Sequence, residues 1–376
     1  MRGPAVQPIV IAAGGTGGHF FPAEALAAEL LARGHRIVLM TDSRSGGLTS
    51  PVFSGHEQFV LSGAGLAGRG VLRGIAALVG LVRGITQARR IFNRLGAAAV
   101  VGFGGYPCVP PVLGAFFAGH RIGIILHEQN AVMGRANRFL APRAHRLALS
   151  VAATRLVPAH VTQEVTGNPV RPEIGALAQA GYEAPAERIN LLVLGGSLGA
   201  RVFSDVVPPA LAGLPEALRR RLSVVQQCRK EDLDRVRAAY DQAGIAAELS
   251  AFFPDVAARL SAAHLVIARA GASTVAELAV AGRPAILVPL PGAIDDHQTA
   301  NAAALADAGG AWVMPQPGFT AKVLTERLDT LLNDPAALSA AAAAARTQGR
   351  PDAAARLADL VEQIVIQTLN LAGERA

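Results

Sequence analysis

The sequence predicts an α/β protein of two Rossmann-like domains, each an open parallel sheet, facing each other across a cleft. Three observations carry that expectation. Short apolar runs alternate with helical segments, among them residues 9–12, 98–102, 189–194 and 264–268, and such uncharged runs are how parallel strands covered on both faces read. Several of these runs end in glycine-rich loops, at residues 14–18, 104–105 and 195–199, and the carboxyl ends of parallel strands are where open sheets bind ligands. Residues 167–172 have the composition of a linker, and a second α/β series begins after them. The 376 residues therefore divide into a first domain at 1–168, a second at 169–350 and a C-terminal helical segment at 351–376 that packs back on the first.

In chain order, the strand at 9–12 runs through Gly14, Gly15, Thr16, Gly17, Gly18 and His19 to Phe20, Phe21 and Pro22. A helix over 23–33 and a strand over 36–40 complete a βαβ unit. Residues 63–68 match G-x-G-x-x-G, but no acidic residue follows before Glu128, which excludes a dinucleotide site there. Residues 71–85, continuing to Arg90, read as a helix with Leu72, Ile75, Leu78, Val79 and Val82 on one apolar face, ringed by Arg69, Arg73, Arg83, Arg89 and Arg90. That face either packs on the sheet or lies on a membrane surface. Residues 97–119 carry no charge, yet Pro107, Pro110 and Pro111 rule out a membrane-spanning helix. A strand over 122–126 leads to His127, Glu128, Gln129 and Asn130, with Asn137 on the next helix. His19, Tyr106, Glu128, Gln129, Asn130 and Asn137 are thus expected to line one crevice.

The second half reads as strands at 189–194, 223–227, 246–250, 264–268 and 284–288, with helices over 230–243, 273–281 and from His297. Asp232-Leu233-Asp234 resembles the D-x-D of metal-dependent sugar-nucleotide enzymes, but its charged helical setting predicts a solvated face. At 353–369 a helix gathers Leu357, Leu360, Val361, Ile364 and Val365 on one side. The turn after the strand at 264–268 aims backbone N–H groups, a helix dipole and the Ser273 and Thr274 hydroxyls at one point suited to a phosphate. Glu277 falls about one turn further on, where a carboxylate can accept from a ribose diol. The same residues also fit a capped βα turn with Glu277 at N3 of a capping box.

Charge and cysteine usage narrow the function. Between Gln58 and Gln163 stand twelve arginines and one acidic residue, Glu128, within a net charge of +7. An anionic membrane surface or an anionic substrate accounts for that imbalance. Sparse aromatics, at 5%, argue against single-stranded nucleic acid. Cys108 and Cys228 fit no metal or disulfide spacing, so a reducing cytoplasm is expected. The short stretch before the first strand is expected not to be a secretory signal.

Residues 14–19, 104–106, 127–130, 167–171, 195–200, 269–277 and 298–301 together resemble, in order and spacing, the MurG family of peripheral membrane glycosyltransferases, which have the GT-B fold. The resemblance implies transfer of N-acetylglucosamine from UDP-N-acetylglucosamine to the 4-hydroxyl of undecaprenyl-pyrophosphoryl-MurNAc-pentapeptide, without a cofactor or metal. On the donor side it assigns Glu277 to the ribose, Ser197 with Ala272, Ser273 and Thr274 to the diphosphate, Gln298 to the sugar and Phe252 to the uracil. Arg171 and Arg269 stand near the nucleotide, and Thr16, Gly17, Gly18 and Asn130 also reach the donor. On the acceptor side it assigns Gly14, Gly15, Gly17, Gly18, Tyr106, Glu128 and Asn137, the glycine loop cradling the lipid pyrophosphate. His19 is the first candidate for the general base and Glu128 the second, the latter better suited to orienting. Leu72, Ile75, Leu78, Val79 and Val82 would meet the cytoplasmic face of the inner membrane, and other cell-wall synthesis proteins are candidate partners. Where some relatives carry two glutamines, this chain has His297 and Gln298, so the sugar contacts of that pair stay open. Rival readings are a non-hydrolysing UDP-sugar epimerase on the same fold and a non-catalytic binding module for anionic lipid, nucleotide or nucleic acid.

Overall fold

The computed structural model describes residues 7–14, 17–42, 50–62, 71–196 and 199–373, and of 71–74 and 371–373 the backbone alone. Gly15, Thr16, Ser197, the motif at 63–68 and the Leu72 side chain lie outside the described residues. Two compact units form, Met1–Arg171 with Asp352–Ala376, and Pro172–Pro351.

The first unit runs β1 (Ile9–Ala12), α1 (Gly17–Ala32), β2 (Ile37–Asp42), β3 (Glu57–Leu61), α2 (Val71–Leu95), β4 (Ala99–Gly102), α3 (Val109–Phe116), β5 (Gly123–Glu128), α4 (Arg135–Leu140), β6 (Arg146–Leu149) and β7 (Gln163–Val165). These strands form one parallel sheet in the order β3-β2-β1-β4-β5-β6-β7. Alternation along β1 explains its uncharged sequence. Ile9 and Ile11 pack with Phe20, Leu26 and Leu30 of α1, whereas Val10 and Ala12 pack with Ile91 and Phe92 of α2 and Val112 of α3. The edge strands β3 and β7 were not legible in the sequence because Glu57, Gln58, Gln163 and Glu164 face solvent and interrupt any apolar run.

Two helices depart from expectation. Helix α1 starts at Gly17, not residue 23, and carries Pro22 inside it. Only the bond that Gly18's carbonyl would accept is lost, and Gly18 is exposed to water. Helix α2 buries a stripe of small and late residues, Ala77, Gly84, Ala88, Ile91 and Phe92. Its large apolar residues point the other way: Ile75, Leu78, Val79 and Val82 are 55%, 60%, 43% and 54% exposed. The expectation that this face packs on the sheet therefore fails, because small side chains let α2 approach α3 closely and leave the bulky ones outside.

The last helix, α14 (Ala353–Gly373), covers the α1 face of the same sheet. Leu357, Leu360, Val361 and Ile364 are buried there. Arg33 of α1 ties it down through Asp359 at 2.6 Å and Glu362 at 2.9 Å, and His35 Nε2 lies 2.7 Å from Glu362.

The second unit begins with α5 (Pro172–Gly175) and β8 (Ile189–Leu194), then α6 (Arg201–Ala212), α7 (Glu216–Arg219), β9 (Leu222–Gln227), α8 (Leu233–Gln242), β10 (Ala246–Ser250) and α9 (Val256–Ala262). It continues through β11 (Leu265–Ala268), α10 (Ala272–Ala281), β12 (Ala285–Leu287), α11 (His297–Ala306), β13 (Ala311–Val313), α12 (Ala321–Leu332) and α13 (Pro335–Thr347). Its parallel sheet has the order β10-β9-β8-β11-β12-β13. One correction concerns Asp232, which ends a short 3-10 turn before α8 and is buried against Arg235 at 2.8 Å, whereas Asp234 is solvated as expected.

Truncating Ile364 to alanine should destabilise the first unit by about 2–4 kcal/mol, as for other buried aliphatic truncations. Far-UV circular dichroism during urea unfolding would show the loss. The only tryptophan, Trp312 on β13, reports the second unit and should keep its fluorescence transition.

Candidate active site

In each sheet the chain leaves the central strand in one direction and returns to build on its other side. The reversal falls between β1 and β4 in the first unit and between β8 and β11 in the second, and loops diverging at such a point leave a crevice at the strands' carboxyl ends. Every loop singled out from the sequence leaves the carboxyl end of a strand in one of these sheets.

In the first unit the organising group is Glu128, buried at the end of β5. Its Oε1 accepts from the Asn130 backbone N–H at 3.0 Å and from Asn130 Nδ2 at 3.1 Å. Its Oε2 accepts from the Gly134 N–H at 2.9 Å and from Asn137 Nδ2 at 2.8 Å. Four donors on one carboxylate fix its plane and hold the loop after β5 to the strand end. Asn137 Nδ2 also donates to the His127 carbonyl at 3.1 Å, while its Oδ1 is buried without a partner. Asn137 presses on the β4–α3 loop, where a Cβ on Gly104 would stand 3.1 Å from its Nδ2 and where Gly104 and Gly105 both have positive φ, 81° and 68°. That loop carries Tyr106.

His19, in the first turn of α1, joins this cluster from the other side of the reversal. Its Nδ1 lies 3.0 Å from Gln129 Oε1, the Gln129 Nε2 lies 3.0 Å from His127 Nδ1, and His127 Nε2 lies 2.9 Å from the Gly167 carbonyl. Complete burial pushes the His127 imidazole down to about 4, so it is neutral at physiological pH. Arg171 stacks on the Phe21 ring with its guanidinium carbon 5.1 Å from the centroid.

In the second unit, Gly195 and Gly196 follow β8. A Cβ at Gly195 would stand 2.4 Å from the Ala200 nitrogen, so only glycine allows this loop. Gln227, at the end of β9, fixes the loop: its Oε1 accepts from the Gly195 N–H at 3.1 Å, and its Nε2 donates to the carbonyls of Gly196 and Ala251 at 3.1 and 3.2 Å. Sequence reasoning passed over Gln227 because a glutamine ending an apolar strand carries no motif.

Helix α10 is capped by Gly271 in extended conformation, with no side-chain cap. Thr274 occupies N3 and Glu277 comes well after it, so the capping-box alternative falls. Ala272, Ser273, Thr274 and Glu277 are all half-exposed at this positive helix end. Arg269 is committed to structure, donating to the Val288 and Pro289 carbonyls at 3.1 and 3.2 Å and to Gln316 Oε1 at 2.6 Å, above the Phe203 ring. Its partial burial lowers its pKa from the ordinary guanidinium value. Gln298 Oε1 accepts from the Leu290 N–H at 2.9 Å, which leaves its Nε2 to donate. Just before it, Asp295 and Asp296 adopt left-handed φ of 53° and 52°, a strained pair costing about 1–2 kcal/mol each, as functional loops often do. Phe252 is 67% exposed beside the β10–α9 turn, and Phe253 is buried under Arg259.

Two doubly wound units, each with a glycine loop at its reversal point, are built to bind ligands at the carboxyl ends of their strands, and the families the chain matches give the class of enzyme as a glycosyltransferase. The chain matches the glycosyltransferase family 28 N-terminal domain over residues 9–149 and the family 28 C-terminal domain over residues 190–357. It is 62% identical over 364 residues to a protein of Granulibacter bethesdensis, covering 96% of this chain and 95% of that one. It is 56% identical over 361 residues to one of Acidiphilium cryptum, covering 96% and 98%. Both are named UDP-N-acetylglucosamine–N-acetylmuramyl-(pentapeptide) pyrophosphoryl-undecaprenol N-acetylglucosamine transferase. The crystal structure of Acinetobacter baumannii MurG superposes with a TM-score of 0.77 at 32% identity, covering 95% of this chain and 99% of that one. The chain belongs to this family of N-acetylglucosamine transferases.

His127 gives the site a pH signature. Its unfolded value near 6.5 exceeds its folded value of about 4, so the unfolded chain binds protons preferentially between the two, and stability is lost as pH falls through that window. The loss should total about 3 kcal/mol. Urea unfolding of wild type and His127→Phe at several pH values between about 7 and 4 should show it as a stability difference that shrinks on acidification. A constant difference would show that the ring titrates alike in both states.

Proposed function

We propose that this chain is an inverting glycosyltransferase that moves N-acetylglucosamine from UDP-N-acetylglucosamine to the 4-hydroxyl of MurNAc in undecaprenyl-pyrophosphoryl-MurNAc-pentapeptide, converting lipid I to lipid II in peptidoglycan synthesis. The observation that carries this reading is near full-length identity of 62% to a transferase of that name. In the reaction the acceptor oxygen forms a bond to the anomeric carbon, the bond from that carbon to UDP breaks, and the acceptor proton goes to a base.

The second unit supplies the donor side. UDP's diphosphate meets the positive end of α10 at Ala272, Ser273 and Thr274, where charge that grows on the leaving group is stabilised by backbone dipoles. Glu277 accepts from the ribose hydroxyls, the loop at Phe252 meets the uracil, and Gln298 Nε2 donates to the sugar. Arg269 acts by pinning the loop after β12 to the turn at Gln316. On the acceptor side, His19 is the base and Glu128 shapes the loop that presents Asn130 and Asn137.

The protein works as a peripheral protein on the cytoplasmic face of the inner membrane. Among the described residues no helix is long and apolar enough to cross a membrane. Supporting a surface attachment are the exposed Ile75, Leu78, Val79 and Val82 of α2 and, beside them, a groove of about 590 Å³ between β3 and α2 lined by Phe59, Val82, Arg83, Arg90 and Arg94. Apolar residues inserted at the headgroup boundary with cations around them suit an anionic bilayer.

Purified protein should release UDP from UDP-N-acetylglucosamine only when lipid-linked MurNAc-pentapeptide is present, with a disaccharide lipid as product. Release without acceptor would point to a hydrolase, and interconversion of the sugar to an epimerase. In the same assay Glu277→Ala should raise the KM for UDP-N-acetylglucosamine about 10- to 100-fold, the loss of hydrogen bonds to a charged group. An unchanged KM would remove Glu277 from the ribose. Replacing Ile75 and Val79 together by glutamate should weaken co-sedimentation with anionic vesicles while sparing activity on a short-chain soluble acceptor. Equal sedimentation would take the membrane away from this face of α2.

A further inference from the structure

The chain of contacts from His19 to Gly167 fixes where each proton lies, because every member but one can act in only one sense. His127 Nε2 faces the Gly167 carbonyl at 2.9 Å, and a carbonyl only accepts, so Nε2 carries the proton. The ring is buried and neutral, which leaves a lone pair on Nδ1. One end of the Gln129 amide stands 3.0 Å from that lone pair and 3.1 Å from the His127 carbonyl oxygen. Two acceptors facing one atom require a donor there, so that end is the NH2 group. The other end is the amide oxygen, and it lies 3.0 Å from His19 Nδ1.

An amide oxygen cannot donate, so His19 Nδ1 must. We propose that Gln129 and His127 are positioning residues that hold neutral His19 as its Nδ1–H tautomer and thereby leave Nε2 as the proton-accepting nitrogen. A neutral histidine side chain in water favours the opposite tautomer, with the proton on Nε2, and would have no lone pair there. The relay reverses that preference through hydrogen bonds alone, with no carboxylate behind the histidine. Nε2 faces the loop at Gly105, where even a methyl group at that residue would come within 3.5 Å of it. The nitrogen made basic by the relay is thus the one turned toward the loop that carries Tyr106. Gln129 and His127 are both buried, so they act through His19 and do not themselves meet a substrate.

The catalytic half of this inference rests on His19 being the base, as in the proposed function; the tautomer itself does not. Long-range proton–nitrogen spectra of the full chain labelled with 15N-histidine, recorded at about pH 8 and assigned by the signals missing from His19→Gln, read the tautomer without turnover. Wild type should show His19 protonated on Nδ1. Gln129→Met, close in shape but unable to accept, should move the His19 population toward Nε2–H. Its kcat should fall about tenfold or more at unchanged KM for UDP-N-acetylglucosamine, the signature of a weakened general base. His127→Phe keeps a ring against Phe103, now 5.3 Å away centroid to centroid, and removes one of the two acceptors that orient the Gln129 amide while the residue-127 carbonyl stays, so it should shift the tautomer in the same direction but by less than Gln129→Met. Because UDP meets the second unit, far-UV circular dichroism during urea unfolding serves as the check that the first unit of each variant is folded. An identical His19 tautomer in wild type and both variants overturns the proposal. A shifted tautomer with undiminished transfer would overturn the assignment of His19 as base while the relay itself stood.

Discussion

A carboxylate sealed from water at the end of a parallel strand must find its hydrogen bonds in the protein, and Glu128 finds four within the loop that follows it. That requirement shapes the first unit's site. Asn130 and Gly134 are drawn to the two oxygens, which folds residues 129–134 back over the strand end. Asn137 is held at the start of α4, close enough to the β4–α3 loop that only residues without a side chain fit at 104. The turned loop in turn directs Gln129 inward to His127 and His19. A neutral residue in place of Glu128 would leave several N–H groups buried without an acceptor, so the carboxylate serves geometry in the ground state before any chemistry begins.

The second unit solves the same problem without a buried charge. Gln227 bridges two loops with one side chain, accepting from Gly195 and donating to Gly196 and Ala251. Arg269 bridges the loop after β12 to the turn at Gln316. Three of the five Arg269 N–H donors are engaged by the Val288, Pro289 and Gln316 oxygens, and its partial burial disfavours the charge. In the function proposed above, the anion is therefore met by backbone dipoles at the start of α10 more than by a side-chain cation. That arrangement suits a leaving diphosphate, since preformed dipoles need no rearrangement as charge develops.

Much of this was legible in the sequence, for physical reasons. Strands buried on both faces leave apolar runs, and β1 and β8 appeared with their observed bounds, as did the edge strand β10. Glycine loops at strand ends located the crevices. The edge strands β3 and β7 escaped because one face is wet, and α1 began early because a proline near a helix start forfeits only one intrahelical bond. Within the site, residue types were legible but partners were not. Nothing in His127, Glu128, Gln129 and Asn130 as a string distinguishes ligand contact from internal bonding; distances alone show that Glu128 and Gln129 face their neighbours. Gln227, Gln316 and the strained pair Asp295 and Asp296 were missed because single polar residues at loop ends carry no pattern.

Helix α2 was the element on which pattern reading was ambiguous, and packing resolves why. An apolar face on a helix is ordinarily its core face, since leaving a Val, Leu or Ile exposed forgoes about 1.5–3 kcal/mol each. Here the core contact is made by Ala77, Gly84 and Ala88 near the middle and by Ile91 and Phe92 toward the end, which anchors the helix without help from its bulkier residues. Ile75, Leu78, Val79 and Val82 then contribute nothing to folding from where they stand, and their exposure together is the kind of contiguous apolar surface that monomeric proteins seldom keep without a partner phase. The arginines beside them, Arg83, Arg89 and Arg90, are equally exposed and surround this face with positive charge. A surface with apolar residues at its centre and cations at its margin has the pattern of a helix lying at a headgroup boundary, and that pattern is what supports the attachment proposed above.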